Sequence, residues 1–304
     1  MRVLLIVNPA ASSVTARHRV VIQKALAADH DLTVSETNRR GHAARLAHGA
    51  ALDGTDLVVT LAGDGTLNEA ASGVLHTETA LTPLPGGSTN VYARTIGYAR
   101  DPFEATGQLL EALDRGSYRQ VGVGRANERL FLFNCGVGFD AAVVERAERT
   151  SALKRYLAHP LYAGSAVDTW FRGYDHRHEQ FVIRLPDGTE IHDSFFAIIS
   201  KSSPYSYLEG RPLVVAPHAA LDRPLSLTAV RTQHALGFLG IVADVALGSR
   251  YLAHHRGLST RDGLTGGVIT SERPFPWQVD GEYLGETTRL EFRDEPDVLR
   301  LLQP

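Results

Sequence analysis

The chain has 304 residues, 43% of them hydrophobic and 21% charged. At about 150 residues per domain this makes one large or two ordinary globular domains, and the apolar share excludes a disordered or collagen-like chain. The net charge of −3 argues against a nucleic-acid partner, the lone Cys135 excludes an intramolecular disulfide framework, and no CxxC is present for zinc.

The apolar run 3–7 stops after five residues at Asn8 and Pro9. It predicts a buried strand rather than a secretory segment, and with it a cytoplasmic chain. Helical spacing follows over 16–28, with Val20, Val21, Ala25 and Leu26 on one face. A brief strand is expected at 32–34, a helix at 42–52, a buried strand at 57–61 and a helix at 66–75. Strand-like residues 81–84, a run at 91–96 and a helix over 103–113 complete the pattern. Strands and helices alternating over short connections predict a parallel sheet covered by helices. The texture changes near residue 120. Strand candidates at 129–135, 180–185, 191–199, 212–215, 225–230, 267–270 and 288–292, with turns such as Pro186-Asp187-Gly188, predict an antiparallel sandwich or barrel. Helical stretches over 140–174 and 233–255 interrupt it, and the tail 296–302 is read as a last helix. The expected fold is thus an N-terminal α/β domain over 1–120 and a β-rich domain over 121–304. Strand counting leaves open whether the tail returns to the first domain. The apolar stretch 236–247 contains Asp244 and is too short to span a bilayer.

The segment 57–69 is the most informative. A buried strand runs into Gly63-Asp64-Gly65, and Thr66 and Glu69 fit a capping box at the start of the next helix. Glycines allow close backbone approach, helix amides favour phosphate, and Asp64 adds a carboxylate where open α/β sheets bind ligands. Pro85-Gly86-Gly87-Ser88-Thr89-Asn90 repeats the arrangement after the next strand, and Asn8 to Ser12 supplies a third polar loop at the same sheet edge. Each alone reads as an ordinary turn; the three together predict a nucleotide site. With no Gly-Lys pair in the chain, that site is not a Walker A loop.

These residues resemble the diacylglycerol kinase and sphingosine kinase catalytic family, which includes bacterial lipid kinases. The matching motifs are NPAAS at 8–12, AGDGTLNE at 62–69, PGGSTNVYAR at 85–94, FNCGVGFDAAV at 133–143 and VDGE at 279–282, in family order. The resemblance implies a NAD-kinase-like α/β domain and a C-terminal antiparallel β domain. It also implies ATP bound between them and a lipid hydroxyl phosphorylated with Mg²⁺, on an enzyme that visits the membrane surface. By match, Asn8, Ser12, Ala62, Gly63, Asp64, Gly65, Thr66, Leu67, Asn68 and Ser88 hold ATP. Thr37 corresponds to the family's nucleotide-contacting threonine. Asp280 and Glu282 stand where the family places its general base, with Asp64 as the rival. Asp140 falls near the acceptor pocket or serves as a helix-start carboxylate. The chemistry suits such a set: phosphates need neutralising, and a carboxylate near the acceptor hydroxyl takes its proton.

The chain departs from the family at Val91, where many members carry Asp, and at Gly122, where many carry an acidic residue. A structural Mg²⁺ segment, Asp-Asp-Gly in some members, reads Asp222-Arg223-Pro224. Since Arg cannot ligate Mg²⁺, that metal is expected to be absent or replaced by the guanidinium itself. Two other readings are therefore kept. One is a kinase of a soluble hydroxyl acceptor, as in NAD kinases; the other is a nucleotide- or lipid-binding protein without catalysis.

Three weaker signals complete the reading. Gly136-Val-Gly-Phe-Asp-Ala141 fits GxGxxA, but no strand ending in Asp or Glu follows about 20 residues on, so a dinucleotide-binding dehydrogenase is not supported. His176/His178 and His254/His255 read as solvated surface. Stretches 153–170 and 236–252 read mainly as core. Part of them could line an acyl pocket or form an interfacial helix, with Lys154, Arg155 and Arg172 near head groups.

Overall fold

The computed structural model describes residues 1–151, 181–208, 210–231, 235–246, 255 and 257–304. They divide into two compact units, Met1–Gly122 with Pro296–Pro304, and Val123–Glu295. Stretch 153–170, Lys154, Arg155, Arg172, His176, His178, His254 and residues 247–252 lie outside the described residues.

In the first unit, β1 (Arg2–Val7), β2 (Asp31–Glu36), β3 (Leu57–Ala62) and β4 (Ala80–Pro85) form a parallel sheet in the order β4-β3-β1-β2. β3 and β4 are buried along their whole length, which is why they read as unbroken apolar runs. Helices α1 (Ala16–Ala27), α2 (His42–Leu52), α3 (Asp64–Val74), α4 (Val91–Thr95) and α5 (Pro102–Arg115) connect and cover them. Local chemistry sets most ends. Thr15 caps α1 by accepting from the His18 amide. Asp101 caps α5 by accepting from Phe103 and Glu104, ahead of Pro102, and Gly116 closes the helix in the left-handed region at φ 64°. α2 and α3 pack so closely that a Cβ on Gly73 would lie 2.4 Å from the Ala44 carbonyl oxygen.

Two expectations are corrected here. α1 buries Ile22 and Leu26, while Val20 and Val21 are exposed. The buried stripe is the i, i+4 pair, one step round the helix from the face chosen on apolar content. In α3, Gly63 is the N-cap and accepts no side-chain bond, so Thr66 and Glu69 do not form a capping box. Tertiary partners take both side chains. Thr66 Oγ1 accepts from Asn8 Nδ2 at 3.1 Å, and Glu69 accepts from the Gly41 and Ala43 amides at 2.8 and 3.2 Å, capping α2 instead.

The second unit is mostly antiparallel β. β7 (Asn134–Gly138), β10 (Phe196–Ser200), β13 (Leu225–Val230), β14 (Leu258–Leu264) and β15 (Gly266–Val279) pair in the order β14-β13-β10-β7-β15. β16 (Glu282–Leu302) returns antiparallel along β15, while β8 (Phe181–Arg184) also pairs with β15 and carries β9 (Glu190–Ser194). The remaining elements are β5 (Tyr118–Ala126), β6 (Arg129–Phe131), β11 (Ser206–Leu208), β12 (Arg211–Leu213), α6 (Phe139–Ser151) and α7 (Ala235–Ala246). One core gathers Phe131, Val137, Phe181, Ile199, Phe275 and Phe292; a second sets Phe139 edge-on to Phe238, with ring centroids 5.2 Å apart.

The predicted tail helix is a strand. Residues 296–302 end β16, and Leu301 pairs parallel with Leu81 of β4 in the first unit. Asp297 takes φ 53° within that strand. The strand candidates 267–270 and 288–292 were likewise cut short. β15 continues through Pro274 and Pro276 by register shifts that absorb the missing donors.

A buried ion pair holds the turn at 222–224. Lys201 is 1% exposed, and its Nζ donates to Asp294 Oδ1 and to the Arg223 carbonyl, both at 2.7 Å. The buried positive charge at this turn is therefore the ammonium of Lys201, and Arg223 itself is exposed, which corrects the guanidinium expectation. Lys201→Met is expected to strand the Asp294 carboxylate in the core and cost about 3–5 kcal/mol in urea unfolding, part of it recovered by adding Asp294→Asn. Glu295 gives a pH test. Hydrogen bonding from Arg125, then from Arg293, holds its carboxyl below the usual range. A lowered folded-state pKa means stability that is full above the unfolded value and lost as pH falls through the folded one. The stability gap between the wild type and Glu295→Gln should be full at pH 7 and close below about pH 4.

Candidate functional site

Three loops meet at the carboxyl ends of β1, β3 and β4 in the first unit. The turn after β3 and the turn after β4 touch backbone to backbone: a Cβ on Gly87 would lie 2.8 Å from the Gly63 Cα, and one on Gly86 would lie 2.7 Å from the Ala62 nitrogen. Only glycine permits that approach. The loop after β1 is tied on by Asn8 to Thr66, and by Ser13, whose amide donates to the Gly86 carbonyl and whose hydroxyl donates to the Gly87 carbonyl. Asn90 clamps the second turn, accepting from the Gly87 amide at 2.7 Å and donating to the Gly87 carbonyl at 2.8 Å. Asn90 lies in the loop the sequence marks; Ser13, one residue past the Asn8–Ser12 loop, carries no such mark. No local pattern marks a side chain that braces a distant carbonyl.

Asp64 occupies the junction. Its Oδ2 accepts from the Val91 amide at 2.9 Å and its Oδ1 from the Tyr92 amide at 3.0 Å. Burial raises its pKa, against the lowering effect of those two amides. Asp64 thus ties the first glycine turn to α4, and Val91 meets it through the backbone. Among the other proposed nucleotide residues, Ser12, Gly65 and Ser88 are exposed, and Asn8, Gly63, Thr66 and Thr37 are half-buried. The Thr37 amide donates to the Val7 carbonyl, at the start of the neighbouring loop. Ala62, Leu67 and Asn68 are buried, with Leu67 only 2% exposed.

The second unit holds the other acidic candidates. Asp280 and Gly281 are the two-residue turn between β15 and β16, at φ 49° and 81°, the positive pair that a tight hairpin requires. The Asp280 carboxylate accepts from three consecutive amides: Leu132 to Oδ2 at 2.8 Å, and Phe133 and Asn134 to Oδ1 at 3.0 Å each. Glu282, the next strand residue, is partly exposed and accepts from Arg129 at 3.0 Å. Asp140 is buried at the start of α6. It accepts from the Tyr205 hydroxyl at 2.6 Å and from Gln278 Nε2 at 2.8 Å, and burial raises its pKa against those two bonds. Gly136, of the GxGxxA match, makes room for this carboxylate: a Cβ there would lie 1.7 Å from Asp140 Oδ2. Sequence reasoning missed Asn134, Tyr205 and Gln278 as functional candidates, because the side-chain pairs that join them, Tyr205–Asp140, Gln278–Asp140 and Gln278–Asn134, span 65, 138 and 144 residues.

Comparison with known proteins follows this geometry. Residues 2–126 match the diacylglycerol kinase catalytic domain family. That segment contains all three loops of the first unit. A protein of Chromohalobacter salexigens named probable lipid kinase YegS-like is 30% identical over 174 residues, 56% of this chain and 53% of its own length. The diacylglycerol kinase of Bacillus subtilis is 31% identical over 144 residues, 45% of this chain and 46% of its own. The chain thus spans about half the length of these curated relatives. Crystal structures of a diacylglycerol kinase from Bacillus anthracis str. Sterne cover all of this chain and 97% of theirs. Their TM-scores are 0.77 at 22% identity and 0.70 at 19%, a likeness of fold. Among the described residues no helix is long and apolar enough to cross a membrane, and no group of three or more His, Cys, Asp or Glu is placed to hold a metal ion.

Proposed function

We propose that this protein is an ATP-dependent lipid kinase that passes the γ-phosphoryl group to a lipid hydroxyl. The observation that carries the reading is the joining of the Gly63–Thr66 and Gly86–Asn90 turns inside the segment that matches the kinase catalytic domain. In this reading residues 1–120 with the returning tail 296–304 are the nucleotide domain, and 121–295 the acceptor domain. Asn8, Ser12, Thr37, Ala62 to Asn68 and Ser88 line the ATP site. The Gly65 amide in the first turn of α3 would face phosphate, since Gly63 brings no capping side chain, while the Thr66 and Leu67 amides donate to the Gly63 carbonyl. Thr66 and Asn8, already joined, would orient the phosphate loop. The enzyme works in the cytoplasm and visits the membrane surface to reach its acceptor.

For the acceptor proton we assign Glu282, with Asp280 as a positioning group. A carboxylate whose two oxygens already hold three amides is a weak base. Glu282 is the partly exposed acid on the same turn, and Arg129 beside it holds the side chain in place. Mg²⁺ bound with ATP would neutralise phosphate charge. Among the described residues no cluster of three or more His, Cys, Asp or Glu would hold it apart from the nucleotide.

One observation favours a second reading. Val91 contributes only its amide where many relatives carry an acid, which suits a nucleotide- or lipid-binding protein without turnover. Transfer of labelled γ-phosphate from ATP–Mg²⁺ to a panel of lipid extracts decides between them. A labelled lipid establishes the kinase. ATP binding with no transfer to any lipid favours the binding protein or a soluble hydroxyl acceptor.

A further inference from the structure

Gln278 is fully buried and does not belong to the acidic motif beside it. Its carboxamide has every polar atom engaged. Oε1 accepts from the Gly281 amide at 2.8 Å; Nε2 donates to Asn134 Oδ1 at 3.0 Å and to Asp140 Oδ2 at 2.8 Å. Asn134 closes the ring. Its amide donates to Asp280, its carbonyl accepts from the Asp280 amide at 2.9 Å, and its Nδ2 donates to the Tyr205 carbonyl. Register explains the geometry. Gln278 pairs with Gly136 across β15 and β7, and the missing Cβ of Gly136 leaves the space in which Nε2 and the Asp140 carboxylate meet.

We propose that Gln278 is the positioning residue that fixes the Asp280–Gly281–Glu282 turn in the orientation the acceptor chemistry needs, by joining the Gly281 amide to Asn134 and Asp140. This rests on the assignment of Glu282 above. The physical reason is that Asp280 anchors the first half of this turn through its carboxylate and its amide, whereas the second half, Gly281, has no side chain and is held by what its amide meets. Here the inner amide meets a side chain locked by two acceptors. The orientation of that side chain is set by Asp140, whose Oδ2 accepts from Nε2 while its Oδ1 accepts from the Tyr205 hydroxyl. The turn is therefore held in place by α6 and by the loop that carries Tyr205, as well as by its own strands. A buried glutamine that merely satisfies its own polar atoms would stabilise the sheet without affecting catalysis, so the test separates the two.

Hydrogen exchange and steady-state kinetics of Gln278→Met, which keeps the volume and loses the bonds, form that test. The amide of Gly281 and those of Leu132 to Asn134 should exchange at least about tenfold faster. The kcat of phosphoryl transfer should fall by about ten- to a hundredfold, with the KM for ATP within about twofold of wild type. Gln278→Glu serves if the first variant does not fold. It keeps the acceptor for Gly281 but loses both donors, so Gly281 should stay protected while the amides of residues 132–134 and kcat follow the first variant. Unchanged exchange at Gly281 in Gln278→Met overturns the proposal. So does faster exchange with wild-type kcat, when Glu282→Gln abolishes transfer. A wild type that transfers no phosphate to any lipid sinks the kinase reading and the catalytic role of the turn with it. Exchange at Gly281 would then still report whether Gln278 holds the turn.

Discussion

Glu282→Gln is expected to slow transfer to the acceptor hydroxyl by about 10²–10⁴-fold, the usual worth of a positioned proton acceptor. The substitution keeps the side chain's length and one acceptor for Arg129, so folding and ATP affinity should be close to wild type. Asp280→Asn should behave differently. It removes the charge that holds the amides of Leu132, Phe133 and Asn134, and it brings an NH₂ against at least one of them. Hydrogen bonds to a charged group are worth about 1.5–3 kcal/mol each. Asp280→Asn should therefore lower both the unfolding midpoint and the rate, with the two losses tracking each other. If Asp280→Asn folds as stably as wild type and is the more inactive of the two, the roles assigned to the two acids are reversed.

Asp64→Ala is the second large effect. It leaves the Val91 and Tyr92 amides without their acceptor and removes the tie between the two glycine turns. Two charge-assisted bonds of that kind predict a loss of about 3 kcal/mol in urea unfolding, together with weakened ATP binding, since both turns belong to the proposed phosphate site. Asp64→Asn keeps one acceptor and should recover part of the stability and of the affinity in step. The rival role, Asp64 as the base, predicts normal stability and normal ATP binding with transfer abolished. Measuring the three quantities on the same two variants decides between a strut and a base.

These two acids show where sequence reasoning reached and where it stopped. Asp64 is marked by glycines beside an acid at the end of a buried strand, whereas Asp280 is marked only by the resemblance of VDGE to a kinase motif. Their work was not legible. Nothing within several residues of Asp64 says that its oxygens will meet amides at 91 and 92, or that Asp280 will meet those at 132 to 134. The capping box at Thr66 and Glu69 failed for the same reason: both side chains had stronger partners in β1's loop and α2. Residue pattern alone also turned α1 by one step and read the strand at 296–302 as a helix.

The amino-acid sequence by itself determined the alternation of strands and helices through residue 115, the change to antiparallel β beyond it, and the glycine-rich turns of the proposed phosphate site. Each is written in periods of two or 3.6 residues, or in glycines clustered just after an apolar run, and such signals are complete within a short window. Only the tertiary structure decided which carboxylates are bound by amides, that Lys201 supplies the buried charge at the 222–224 turn, and that Gln278 holds the acidic hairpin. Those outcomes depend on which buried donor finds which acceptor. The cost of leaving either unpaired is settled between residues far apart in the chain.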